Sequence, residues 1–291
     1  MDRTPVLYLL IAALLTGCGA SRHLVVGSKN FTEQLILGEI IAQHIAARTH
    51  QPVERKLDLG GTLLAQKALE AGDIDMYPEY TGTAFTNVLK RSGVTDPAAV
   101  LAQVRAGYAK DFHLHWLDPL GFNNSFAMTV RGPDARARHL QTLSGAAHDP
   151  AGFTLGAGYE FLTRPDAYDA LNHAYAIKWN APPKSMDLGL LYQALEQRQV
   201  SMVAANTTDG LLSKLDVVVL EDDKHVFPPY QACIVVREQT LATYPDLRAI
   251  LNELSGRISD AQMRAMNYAV DGQHREPRGV ARDFLSRAGL L

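Results

Sequence analysis

The sequence predicts an α/β fold in which a parallel sheet is flanked by crossover helices. Short apolar strands alternate with helical segments in the first half of the chain, and a second run of the same kind begins near residue 123. The 291 residues suffice for one large domain or for two lobes with separate cores. With 47% hydrophobic residues and a formal net charge of −3, the composition is that of an ordinary globular protein.

The chain begins with a segment that predicts export. Val6–Leu15 is apolar and uncharged, but it is shorter than the roughly 20 residues that span a bilayer, and it is typical of a signal peptide. The sequence LTGC follows directly and resembles a bacterial lipobox, so we expect a lipoprotein signal peptide over residues 1–17 and a tether over residues 18–22. Lipid would be attached to Cys18. The alternative is a plain signal peptide with a chance cysteine.

The cysteine and histidine residues show no metal-ligand spacing, and the sequence predicts neither a metal site nor a cofactor. If Cys18 is lipidated, Cys233 has no disulfide partner, and its apolar surroundings QACIVV predict a buried thiol. His113 and His115 would share one face of a strand, but no third ligand is apparent nearby, which favours a surface strand. The near-neutral charge also argues against a nucleic-acid partner.

The first α/β run predicts three strands in HLVVGS, VERKLDL and DIDMYPEY. Asn30 is predicted to cap the helix after the first strand, with Glu33 completing a capping box. Ligands of such sheets bind at the carboxyl ends of the strands, where helix N-termini favour anions. Residues 28–30, 60–62 and 80–83 would meet there.

The second run predicts strands within Asn123–Gly132 and Phe153–Gly158 and a helix over Leu188–Gln199. The sequence GAG does not begin a dinucleotide fingerprint, because Glu160 and Phe161 replace the expected third glycine. The tail from residue 245 is predicted to be helical, with an apolar stripe of Leu247, Ile250, Leu251, Leu254 and Ile258.

An enzyme is the alternative of a different class. Asp73, Asp75 and Glu79 lie close in sequence, as paired carboxylates for acid–base work would, and alternation would place the two aspartates on one strand face. There is no Ser-His-Asp order and no nucleophile elbow, so we expect no enzyme. A sensory or scaffolding lipoprotein is a third class.

Seven motifs in order carry a family resemblance: VVGSKNFTEQLILGEI, GGT, DMYPEYTGT, GFNNSFA, YEFLTRPDAY, NTTDG and FPPYQA. Over residues 23–291 the chain resembles the substrate-binding proteins of ABC importers for quaternary ammonium solutes such as glycine betaine, choline and carnitine. The ergothioneine-binding proteins share these motifs.

The resemblance implies a two-lobed periplasmic-binding-protein fold of type II. One lobe would comprise residues 23–125 and 226–291, and the other residues 126–225, with the ligand buried between them by hinge closure. The implied partners are a small zwitterion or cation, a permease and a separate ATPase, since the chain has no phosphate-binding loop of its own. The implied location is outside the cytoplasm, with a membrane anchor at Cys18.

The resemblance also implies the binding residues. A trimethylammonium group has no N–H to donate, so aromatic ring faces hold it by cation–π contact. Tyr80, Phe126 and Tyr230 match cage positions, and Thr83 would bond the polar end of the ligand. Asn206 falls where many members have a tyrosine. This departure motivates an alternative, in which the same receptor binds a ligand other than glycine betaine, such as the larger carnitine or the imidazole-bearing ergothioneine.

Lys29 and Arg164 match positions that meet a ligand carboxylate, which the guanidinium fork binds with two hydrogen bonds. Asn124 matches a polar position beside the cage. Each of the two residues has an open alternative. Lys29 would be a solvated residue before its helix, and Arg164 would pair with a neighbouring carboxylate, Asp166 or Glu160.

Overall fold

The structure, a computed structural model, describes residues 23–291. The predicted signal peptide (residues 1–17), the tether (residues 18–22) and the lipidation site Cys18 lie outside the described residues.

Two five-stranded sheets organise the chain. The first has the strand order β2-β1-β3-β10-β4, and its strands are β1 (Leu24–Gly27), β2 (Val53–Lys56), β3 (Met76–Tyr80), β4 (Leu114–Trp116) and β10 (Ala232–Arg237). Strand β1 is parallel to β2 and β3, as predicted, whereas β10 runs antiparallel between β3 and β4.

The second sheet has the order β7-β6-β8-β5-β9, with strands β5 (Phe126–Arg131), β6 (Leu155–Ala157), β7 (Lys184–Ser185), β8 (Met202–Asn206) and β9 (Val217–Val219). We call the parts built on the two sheets the first and second lobes. The chain passes to the second lobe between β4 and β5 and returns between β9 and β10. The predicted two-lobed α/β class is confirmed.

Helices surround both sheets. Those of the first lobe are α1 (Thr32–Thr49), α2 (Thr62–Ala71), α3 (Thr81–Thr83), α4 (Pro97–Phe112), α10 (Glu238–Thr243), α11 (Leu247–Asn252), α12 (Asp260–Asp271) and α13 (Pro277–Ala288). Those of the second lobe are α5 (Gly132–Ala137), α6 (Leu143–Ala147), α7 (Tyr159–Thr163), α8 (Tyr168–Tyr175) and α9 (Leu191–Glu196). Within residues 23–291, no helix has the length and apolar character that crossing a bilayer requires.

The start of α1 differs from the prediction. The N-cap position is Phe31, and no side chain caps the helix, so the capping box of Asn30 and Glu33 is wrong. The helix begins one residue later than predicted, so Glu33 stands at N2 instead of N3, and the backbone N–H of Asn30 donates to the carbonyl of Gly60. The carboxylate of Glu33 is therefore free to bond elsewhere.

The C-terminal tail is helical in three pieces. Helix α11 ends at Asn252, and the predicted stripe residues Leu254 and Ile258 lie beyond it, although both are buried. Gly256 in this connection has φ of 68°, a left-handed conformation that interrupts a helix.

The structure also places the cysteine, aspartate and histidine side chains that the sequence analysis discussed. Cys233 is fully buried, which raises the pKa of its thiol to about 12. The predicted aspartate pair is wrong, because both aspartates precede β3: Asp75 is buried and accepts a hydrogen bond from Thr240, whereas Asp73 is exposed in a turn. Of the two histidines, His115 lies in β4 and His113 ends α4. Among residues 23–291, no group of three His, Cys, Asp or Glu side chains is arranged to hold a metal ion.

Candidate ligand-binding cleft

A cleft of about 1090 Å³ lies between the two lobes. All eight binding residues predicted from the sequence line it: Lys29, Tyr80, Thr83, Asn124, Phe126, Arg164, Asn206 and Tyr230. The structure thus brings them together, and their part in ligand binding stays a prediction.

Strand ends position these side chains. Lys29 lies just past β1, Tyr80 ends β3, and Asn206 ends β8. Phe126 begins β5 and is paired with Asn206 across the antiparallel strands β5 and β8. The cleft therefore lies at the carboxyl ends of β1, β3 and β8, where α/β sheets bind ligands.

Four rings form an aromatic cluster, which comprises Phe126, Phe161, Phe227 and Tyr230. Phe126 is central: its ring centroid lies 4.9 Å from that of Phe161, 5.4 Å from Phe227 and 5.6 Å from Tyr230, each pair edge to face. Phe161 and Phe227 belong to the recognised motifs, but the sequence reasoning did not single them out.

A buried ion pair lies against the aromatic cluster. Two nitrogens of Arg164, Nε and Nη2, bond the carboxylate of Asp166 at 3.0 and 2.6 Å, so the pairing alternative is correct. The guanidinium carbon is also 5.2 Å from the ring centroid of Phe126 and 5.5 Å from that of Tyr230. Tyr230 donates its hydroxyl to Asp166 at 2.6 Å. Burial raises the pKa of Asp166, but the charge and hydrogen bonds of Arg164 outweigh burial, and the pKa lies below its ordinary value.

Lys29 is buried, so the alternative of a solvated lysine is wrong. Its ammonium bonds Glu79 at 2.7 Å and lies 4.8 Å from the ring centroid of Tyr80 and 5.7 Å from that of Phe31. A protein cation thus already lies over one face of Tyr80. The guanidinium of Arg164 lies over Phe126 and Tyr230 in the same way, so each of the three predicted cage rings already has a protein cation on one face.

Glu33 is the principal cleft residue that sequence reasoning missed. Its Oε1 accepts hydrogen bonds from the hydroxyl of Tyr80 at 2.7 Å and from Nδ2 of Asn124 at 2.8 Å. Its Oε2 accepts from the hydroxyl of Thr208 at 2.5 Å and from Nδ2 of Asn267 at 3.0 Å. Burial raises the pKa of Glu33, and these four bonds oppose the increase without cancelling it. Thr208 comes from the second lobe, so the carboxylate connects the two lobes.

Two further carboxylates line the cleft near Glu33, and we call Glu33, Asp209 and Asp271 the acidic cluster. The hydroxyl of Tyr192 and the backbone N–H of Asn206 donate to Asp209, each at 3.0 Å. Burial raises the pKa of Asp209 to about 7 despite these bonds, and burial also raises the pKa of Asp271.

Direct contacts connect the two lobes beside the cleft. Glu160 of the second lobe accepts a 2.6 Å hydrogen bond from the backbone N–H of Thr62 at the start of α2. On the other side, Gly210 lies so close to α12 that an added Cβ would be 2.3 Å from the backbone nitrogen of Tyr268. Such contacts enclose the cleft and connect its residues across the lobes.

Sequence comparison agrees with this architecture. The sequence profile of the family described as "Substrate binding domain of ABC-type glycine betaine transport system" matches residues 22–287. The ergothioneine transport permease/ergothioneine binding protein of Helicobacter pylori is 36% identical over 98% of the chain, which spans only 52% of that longer protein. The carnitine transport binding protein of Listeria monocytogenes is 32% identical, with 97% of the chain and 94% of the relative covered.

A solved structure is also similar to this chain in fold and sequence. The crystal structure of a glycine betaine/carnitine/choline ABC transporter protein superposes with a TM-score of 0.76 at 30% identity, and the match covers 92% of this chain and 99% of the other.

Proposed function

The chain belongs to the family of substrate-binding domains of ABC-type glycine betaine transport systems, and from this premise we propose that it captures a zwitterionic quaternary ammonium solute in the cleft. Proteins of this kind are the receptors of importers, and they bind their solutes outside the cytoplasm. We propose that this chain delivers its solute to a permease driven by a separate ATPase, and that lipid on Cys18 anchors it to a membrane.

The observation that carries the proposal is the aromatic cluster beside the buried guanidinium of Arg164. Ring faces of Phe126 and Tyr230 suit a trimethylammonium group, which interacts by dispersion and by cation–π attraction of up to about 2 kcal/mol per desolvated contact. Two nitrogens of Arg164 are engaged by Asp166, and the proposal assigns Nη1 to the solute's carboxylate. The cleft thus offers ring faces for the cation of a zwitterion and a guanidinium nitrogen for its carboxylate.

The size of the cleft and Asn206 favour a solute larger than glycine betaine. A volume of about 1090 Å³ lies just above the range of about 300–1,000 Å³ that is common for small-molecule sites. Asn206 offers an amide where a fourth ring would otherwise narrow the cleft. Carnitine and ergothioneine are therefore the leading candidates, and glycine betaine and choline are the smaller alternatives.

Calorimetric titration of residues 21–291 with glycine betaine, choline, carnitine and ergothioneine tests the proposal. We expect micromolar or tighter binding of at least one of them. In Tyr230→Ala this binding should weaken by more than tenfold, because a cage ring is lost. The matched control is Tyr230→Phe, which keeps the ring and loses only the hydroxyl bond to Asp166, and it should retain most of the affinity. Folded protein that binds none of the four solutes would contradict the proposal.

The anchor has a separate test. Cells fed a labelled fatty acid should label the wild-type protein but not Cys18→Ser, because no thiol remains to receive lipid. A wild-type protein that carries no label would exclude lipidation at this position.

A further inference from the structure

Helix α2 of the first lobe begins without a capping side chain of its own. Its N-cap residue is Gly61, which has no side chain to accept a hydrogen bond, and its first turn contains no acidic residue. The backbone N–H groups of Leu64 and Ala65 donate to the carbonyl of Gly61. The N–H group of Thr62, the first helical residue, needs an acceptor from outside the helix.

The second lobe supplies this acceptor. Oε1 of Glu160, in α7, accepts a hydrogen bond from the backbone N–H of Thr62 at 2.6 Å, and Oε2 accepts one from the hydroxyl of Thr62 at 3.2 Å. The two residues are 98 positions apart in the sequence. The carboxylate thus does what a capping side chain does within one helix, but it reaches across from the opposite lobe.

The start of α2 also attracts a carboxylate by its charge. A helix N-terminus carries a partial positive charge, which stabilises an anion placed beside it. The ammonium nitrogen of Lys29 lies 3.5 Å from the hydroxyl oxygen of Thr62, so a cation stands one hydroxyl group behind the helix start. Because Glu79 pairs with this ammonium, the helix terminus and the two hydrogen bonds account for most of the attraction.

Gly61 leaves room for the carboxylate. A Cβ added to Gly61 would lie 2.6 Å from Oε1 of Glu160, and the other atoms nearest to it also belong to the Glu160 side chain. The backbone of Gly61 is extended, with φ of −79°, a conformation that alanine adopts freely. A glycine at this position therefore serves the approach of the second lobe rather than the local turn.

We propose that Glu160 is a positioning residue that strengthens solute binding by capping α2 from the opposite lobe. The cap forms only when the two lobes lie against each other, so it favours the arrangement that encloses the solute. This inference rests on the proposed function, in which the cleft between the lobes receives the solute. Glu160 acts through α2 and not through a bond to the solute, so its contribution should be the same for every solute.

Calorimetric titration of Glu160→Ala with glycine betaine, choline, carnitine and ergothioneine tests the proposal. For each solute that the wild type binds, we expect the affinity to fall by about tenfold, because loss of the cap lowers the population of the enclosing arrangement. The ratio of the affinities for any two solutes should be unchanged. Glu160→Gln is the conservative variant: its amide oxygen still accepts from Thr62, and its affinity should lie within about threefold of the wild type.

Gly61→Ala separates the cap from any other role of Glu160. In the otherwise wild-type protein, the new Cβ displaces the carboxylate and should weaken binding by up to about tenfold. In the Glu160→Ala background there is no carboxylate to displace, and the same substitution should change the affinity by less than about twofold. Two residues with separate structural roles would instead have additive effects.

The inference is overturned if Glu160→Ala binds as tightly as the wild type or alters the ratio between solutes. It is also overturned if Glu160→Gln binds no better than Glu160→Ala, or if Gly61→Ala weakens binding equally in both backgrounds. Failure of the proposed function differs from these outcomes, because folded wild-type protein, as checked by circular dichroism, would then bind none of the four solutes. In that case the capping proposal fails as well.

Discussion

Asp166 and Glu33 are both buried carboxylates that connect the lobes, but they are stabilised in different ways. Asp166 belongs to the second lobe, pairs with Arg164 and accepts a bond from Tyr230. Glu33 belongs to the first lobe and accepts four hydrogen bonds from uncharged groups. The charge of Asp166 is balanced by a full opposite charge, whereas that of Glu33 is stabilised by the dipoles of its hydrogen-bond donors alone.

The pKa directions show what this difference does. The pKa of Asp166 lies below its ordinary value, whereas that of Glu33 lies above it, although both side chains are almost completely buried. A guanidinium therefore outweighs the cost of removing a carboxylate from water, and four neutral donors do not. The carboxylate of Asp166 therefore stays ionised to a lower pH than an ordinary aspartate, whereas that of Glu33 binds a proton at a higher pH than an ordinary glutamate.

Breaking the ion pair should have the largest effect. Arg164→Ala leaves Asp166 as an uncompensated buried charge, which costs about 3–5 kcal/mol in the free energy of unfolding. Urea denaturation at pH 7 measures the loss. The double variant Arg164→Ala, Asp166→Asn removes the orphaned charge and should recover part of the stability. A loss below about 1 kcal/mol in the single variant would show that the pair contributes little.

Removing the other carboxylate should cost less. Glu33→Ala leaves four buried donors without an acceptor, but each is neutral, and we expect a loss on the order of 3 kcal/mol in the same measurement. Thr208→Val is the control, because it removes only one of the four bonds and should cost about 1 kcal/mol. If the two variants were equally stable, the Glu33 network would not act as a unit.

The same two carboxylates show how far the sequence predicts the site. Arg164 and Asp166 are two residues apart, so their pairing was a natural alternative from sequence alone. The four donors to Glu33 are 47, 91, 175 and 234 residues away from it. No local pattern reports a partner at such distances, and the local pattern that did exist wrongly indicated a helix cap.

For the fold, short-range signals were more informative. Apolar runs correctly predicted strands β1, β2 and β3 and their parallel order, because each run ends in a corner that begins a helix. The same signals do not reveal β10, which enters the first sheet antiparallel from the far end of the chain. Pairing across so many residues depends on the assembled lobe.

The acidic cluster should make stability depend on pH. The pKa of Asp209 rises from its ordinary value of 3.8 to about 7 in the folded protein. The folded state thus binds this proton more tightly than the unfolded state does. The contribution to stability is complete below pH 4 and is lost as the pH rises through about 7.

In Asp209→Asn this loss should be absent. Between pH 4 and 7, we expect the free energy of unfolding of the wild type to fall relative to the variant by on the order of 2 kcal/mol. Denaturant titrations at pH 4, 5, 6 and 7 measure the difference, and a constant offset between the two proteins is immaterial. A difference that does not change with pH would mean that Asp209 is ionised throughout this range.

The smallest expected effect concerns the contact between Gly210 of the second lobe and α12 of the first lobe. In Gly210→Ala the new methyl carbon would lie 2.3 Å from the backbone nitrogen of Tyr268, and a backbone atom of a packed helix cannot move aside at low cost. The closed form should be disfavoured, so that solute binding weakens by about tenfold, which corresponds to about 1.4 kcal/mol. Stability without solute should change less, because an open arrangement of the lobes relieves the clash.

Gly189→Ala is the matched control: this glycine also lines the cleft, but an added Cβ would meet no atom within 4 Å, and affinity should be unchanged. Equal affinities of the two variants in calorimetric titration would show that the contact between Gly210 and α12 does not limit closure.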